Sequence, residues 1–143
     1  RRIKRWRLAD EREPVLYKAS HVNHPSAIWC RENDQNYYWL YTMWKHLCEE
    51  YTHRYGKTHA CYRLNDMLCY APTNIPEGQF FAPTPAMPAD CKVVAENPVP
   101  GRKYDSLKSY HKYYVTQKVR FAKWKNRNIP EWFAKNANLS VSQ

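Results

Sequence analysis

The strongest periodic signal in the chain runs through Tyr37, Leu40, Tyr41, Trp44, Leu47, Cys48, Tyr51 and Tyr55, which recur at three- and four-residue steps. Such spacing puts side chains on one side of a helix. Lys45, Glu49, Thr52 and His53 fall on the other faces. Asn33 and Asp34 offer capping oxygens at the start, and Gly56 stands where a left-handed residue closes a helix. Upstream, Pro25 suits the first position of a shorter helix, so core helices are predicted across 25–56. Residues 61–70, CYRLNDMLCY, permit another short helix with Leu64 and Leu68 inward.

A second long pattern spans 104–127. Leu107, Tyr110, Tyr114, Phe121 and Trp124 are predicted to form an inner stripe. Lys112, Thr116, Arg120, Lys123 and Arg127 climb another face, which aligns four cations along one side of a long helix. Between the two patterns, 71–101 holds seven of the ten prolines, so regular helix or sheet is excluded over most of it. Ile75, Phe80, Phe81, Met87 and Val93 are nevertheless too apolar for a free linker, and an ordered meander is expected. Residues 1–18 alternate bases with Ile3, Trp6 and Leu8 before an acidic ADERE and Pro14, which predicts a short basic helix or arm. At the other end NIPEWF should dock Trp132 and Phe133, with a frayed tail behind it. The fold class expected is mainly α: a compact single-domain helical bundle over 1–143, with a long proline-rich irregular segment.

Composition adds to this in two places. The net charge of +10 is polarised: residues 1–18 carry +4, residues 19–99 carry −2 and residues 100–143 carry +8. A basic surplus at the ends of a near-neutral chain favours a polyanion partner, nucleic acid before any other. The five cysteines (Cys30, Cys48, Cys61, Cys69, Cys91) are odd in number and form no CxxC pair. They predict free, buried or half-buried thiols in a reducing cytosol. No eighteen-residue apolar run is present, so no membrane association is expected.

Candidate chemistry is sparse. With three glycines the chain can build neither a phosphate-binding glycine loop nor a nucleotide fingerprint, and it has no G-x-S-x-G. His21 and His24 stand three apart, but Pro25 pushes the residue before it out of helical geometry. With no third ligand at a recognisable spacing, no metal or cofactor is expected. His24 can instead cap the helix with its imidazole or, together with helix amides, face a phosphate. HRYGKTH gathers Arg54, Lys57 and His59 around a helix C-terminus, where cations either offset the dipole or meet a phosphate. With His21, His24 and Arg31 these are the pocket candidates. YHKYYVTQKVRFAKWKNR interleaves rings with bases; Lys112, Lys118, Arg120, Lys123 and Arg127 suit phosphates, while Tyr113 and Trp124 suit bases.

Four blocks, KASHVNHPSAIWCRENDQNYYWLY, EEYTHRYGKTH, AMPADCK and RFAKWKNRNIPEWF, together resemble a group of phage-type proteins. That group is related to the small pyrimidine-dimer DNA glycosylases of the endonuclease V type, and the resemblance covers Tyr17 to Phe133. It implies a mostly helical protein that bends damaged double-stranded DNA and flips a base. In such enzymes the N-terminal α-amine attacks the sugar C1′ to form an imine, a glutamate assists, and lyase chemistry cuts the strand. Arg1 does not stand in for that amine, and neither Glu11 nor Glu13 matches the glutamate's pattern. The chain opens RRIKRW without methionine, so an upstream segment carrying those groups is expected and no catalytic residue is assigned. The DNA-facing part carries over to Tyr110, His111, Lys112, Tyr113 and Tyr114. Two other readings suit the same residues: a phage enzyme that modifies a DNA base, and a non-catalytic DNA-binding accessory protein.

Overall fold

A computed structural model describes residues 7–136. The chain divides into two compact units, Arg1–Phe81 and Ala82–Gln143. The expected helical bundle is overturned: the protein is 44% helical and also contains a two-stranded antiparallel sheet, so α and β are mixed.

In the first unit, α1 (Pro25–Cys30) and α2 (Asp34–Tyr55) begin and end where their capping residues dictate. The Nδ1 atom of His24 accepts the Ser26 amide at 3.0 Å, and Pro25 fills the first helical position. Asn33 Oδ1 accepts the Asn36 amide at 2.9 Å, and Gly56 closes α2 at φ 68, a conformation glycine adopts without steric cost. A 3-10 turn (Ala60–Leu64) and the short α3 (Asn65–Leu68) follow. Tyrosines of α2 hold them. Tyr37 donates its hydroxyl to the Leu68 carbonyl at 2.6 Å, Tyr41 donates to Asn65 Oδ1, and Tyr38 accepts the Ala71 amide.

The most buried side chain of α2 is polar. Asn36 is fully enclosed, donating through Nδ2 to the Trp29 carbonyl at 2.9 Å and accepting the Phe81 amide at 3.1 Å. Asn33 Nδ2 donates to the Gln79 carbonyl, Asp34 Oδ1 accepts the Gly78 amide, and Trp29 Nε1 donates to the Phe81 carbonyl. Together they strap 76–81 across the α1–α2 corner. The strap also explains Gly78, because a Cβ there would stand 2.7 Å from Asn33 Cβ. The predicted α2 stripe is correspondingly only half covered: Cys48 is buried, yet Leu47 is 62% exposed.

The N-terminal expectation is tested only in part. Residues 1–6, with Ile3 and Trp6, lie outside the described residues. From 7 to 18 the chain makes turns instead of a regular helix, with Leu16 N–H reaching the Arg12 carbonyl at 2.9 Å. Arg63 secures this segment through the Val15 carbonyl and the face of Tyr17.

The second unit contains β1 (Val93–Val99), β2 (Arg102–Asp105), α4 (Ser106–Gln117) and α5 (Glu131–Asn136). The β1–β2 hairpin corrects the proline-rich expectation at its end. A two-stranded ribbon has only edge strands, which tolerate proline, and Pro98 lies inside the register irregularity between Val94 and Val99. Asp105 caps α4 by accepting the Lys108 amide, and the buried Ser109 accepts the Val93 amide at 2.9 Å. Tyr110 accepts the Ala86 amide. Cys91, Phe133 and Ala134 form the enclosed centre, so the predicted docking of Phe133 is what is found; the tail from residue 137 lies outside the described residues.

Candidate nucleic-acid interface

The long helix predicted over 104–127 stops at Gln117. β-Branched Val115, Thr116 and Val119 weaken helix here, and Thr116 bonds its hydroxyl back to the Lys112 carbonyl at 2.7 Å. Lys118 then leaves helical geometry at φ −115, ψ 6. The row of four cations is therefore not a helix face. Lys112 lies on α4, whereas Arg120, Lys123 and Arg127 lie on the irregular segment up to Pro130.

The inner stripe is corrected too. Leu107 and Phe121 are 66% and 63% exposed, and Tyr114 is also exposed, whereas Tyr110 and Trp124 are sheltered. Trp124 packs on Phe133 with ring centroids 4.7 Å apart, which places it in the unit's core instead of against a base. Tyr113, expected to be the stacking ring, is half-buried. It has Lys118 Nζ 5.2 Å from its centroid and its ring edge-on to Tyr114. The more open ring is Phe121, with Arg120 Cζ at 4.7 Å and Lys118 Nζ at 5.9 Å.

The charge remains concentrated after these corrections. From Ser106 to Pro130 there are seven Lys/Arg and no Asp or Glu. Lys112, Arg120, Lys123, Lys125 and Arg127 are exposed. Of the acids that flank this stretch, Asp105 accepts the Lys108 amide as the α4 cap, Glu96 stands 3.9 Å from Lys108 Nζ, and Glu131 opens α5. The hairpin adds a cluster that the sequence reading missed: Lys92 and Lys103 hold their ammonium groups 5.3 and 5.1 Å from the Tyr104 ring. The available signal was local: Arg102 and Lys103 stand directly before Tyr104.

The pocket candidates all belong to the first unit, and the structure brings only two together. Arg54 and His59 line an open hollow of about 520 Å³ with Trp44, Tyr51, Tyr55 and Cys61. Arg54 Nε donates to Glu50 Oε2 at 2.8 Å. His59 caps the 3-10 turn by accepting the Cys61 amide at Nδ1, the same device His24 uses on α1. His21 sits at φ 51 with Nδ1 2.7 Å from Ser20 Oγ, and neither it nor His24, Arg31 or Lys57 lines that hollow. Among the described residues no group of three or more His, Cys, Asp or Glu could hold a metal. Burial pushes the Cys30 and Cys48 thiols up, away from the thiolate a nucleophile needs. All five cysteines are free thiols, two of them buried. No helix among the described residues is long and apolar enough to cross a membrane.

Set against protein-family models, curated proteins and solved structures, the chain matches none.

Proposed function

We propose that this protein binds double-stranded DNA, gripping phosphates with the cations of α4 and of the segment that follows it to Pro130. One observation carries the reading: seven Lys/Arg without a single acid between Ser106 and Pro130, most of them exposed. A surface this dense in exposed cations repels itself, and a polyanion relieves that repulsion while releasing its own counterions. Lys112, Lys118 and Arg120 take phosphates of the duplex backbone. The direct test is anisotropy of a labelled duplex at low salt. Binding by the wild type, and its loss on joint replacement of Lys112, Arg120 and Lys123 by glutamate in a folded variant, supports the reading.

Base excision through an imine is the finer form of this proposal. It is supported by the resemblance of Tyr110–Tyr114 to the aromatic-basic segment of pyrimidine-dimer glycosylases, on a helix that leaves Lys112 and Tyr114 exposed. The imine would be formed by groups of the upstream segment that the resemblance implies. Borohydride trapping on abasic duplex therefore tests this form with protein extended by the residues encoded before Arg1, since an imine-forming enzyme becomes covalently attached. Binding without trapping favours the accessory protein. An uncut strand with a nucleoside of altered mass favours the base-modifying enzyme.

A further inference from the structure

We propose that the turn Lys118–Phe121 also holds single-stranded DNA, with one unstacked base lying on the ring of Phe121. The inference rests on the DNA-binding reading and adds a second form of ligand and the residue that selects it.

Periodicity assigns Phe121 to a buried stripe, yet the ring is 63% exposed. One exposed apolar side chain is ordinary on a protein surface; the surroundings of this one are not. Arg120 and Lys118 bring their charges to 4.7 and 5.9 Å of its centroid. Backbone bonds from the Phe121 and Ala122 amides to the Lys118 carbonyl, at 3.0 and 2.9 Å, fix the turn that carries it. The ring is therefore presented from a hydrogen-bonded turn, within a stretch that contains no acid.

An apolar protein partner covering Phe121 would have to strip water from the neighbouring cations without supplying counter-charge, which is costly. A nucleic-acid strand answers both features, with phosphates for Lys118 and Arg120 and a base face for the phenyl. Base pairs inside an intact duplex are already stacked above and below, so their faces are closed to the ring. A single strand has free faces. The cations thus serve duplex and strand alike, and Phe121 acts only on a base that has left its stack.

The test compares three labelled ligands of about twelve nucleotides, a length that fills one single-strand site. They are a base-bearing strand, the same backbone with every base replaced by a tetrahydrofuran abasic analogue, and a duplex. The wild type should bind the base-bearing strand about 5- to 150-fold more tightly than the abasic one, the range expected for one stacked base. Phe121→Ala should erase that preference while duplex affinity stays within about twofold, and Phe121→Trp should keep it. Equal binding of the two strands by the wild type, or an undiminished preference in F121A, overturns the inference and leaves duplex binding standing. Failure to bind strand and duplex alike overturns the DNA-binding reading with it.

Discussion

The imidazole of His111 lies flat on the indole of Trp132, with ring centroids 3.9 Å apart and planes 6° apart. His111 belongs to α4 and Trp132 to α5, so this stack joins the helix that starts the cationic segment to the helix that ends it. Trp132 also meets Tyr114 and Phe133 edge-on. The position of the segment between them depends on that joint.

His111→Ala should therefore lower the unfolding free energy by about 1 kcal/mol, the scale of an aromatic pair beyond its buried area, and His111→Phe should recover most of the loss. A double-mutant cycle with Trp132→Ala is the check. Additive effects, within about 0.3 kcal/mol, would show that the two rings merely lie near each other.

The strap over the α1–α2 corner makes a second expectation. Asn36→Ala leaves the Trp29 carbonyl and the Phe81 amide without their side-chain partner, at a cost of more than about 2 kcal/mol. Gly78→Ala drives a methyl group into Asn33 and should cost about 1–3 kcal/mol. Both variants should be cut by protease within 76–81 faster than the wild type. An unchanged rate in both would mean that the strap is held by something else.

Tyr37 introduces a pH dependence. Burial pushes its phenol up to about 12, with the neighbouring Cys30 thiol adding to the shift. The folded state thus keeps the proton more tightly than the unfolded chain, where a tyrosine titrates near 10. The stabilisation is complete below pH 10 and is lost as pH rises towards 12. Tyr37→Phe removes both the phenol and its bond to Leu68. It should be less stable than the wild type by about 1 kcal/mol near neutrality, with the gap shrinking above pH 10. A gap that stays constant in denaturant titrations across that range contradicts the assignment.

These expectations show which parts of the molecule were legible in the chain. The helix α2 was legible to its ends, because Asn33 and Gly56 are boundary chemistry written at single positions. Its centre was not: Asn36 looks like a solvent residue until Phe81, 45 positions away, supplies the partner that makes its burial affordable. The end of α4 was hidden because the rings at 121 and 124 continue the helical spacing through a segment that is not helical. The hairpin was masked by Pro98 and Pro100, which count against sheet locally but are tolerated in a two-stranded ribbon. Of the candidate interface, the sign and concentration of charge could be read directly from composition. Which ring faces solvent, Phe121 and not Tyr113, depended on where the helix stopped.

The most direct measurement of the central proposal is the salt dependence of duplex binding, taken as the slope of log affinity against log salt concentration. Each phosphate contact contributes about 0.9 to that slope, so the Lys112→Gln, Arg120→Gln protein should show a slope shallower by about two units. The same slope in variant and wild type would remove α4 and the segment beyond it from the interface.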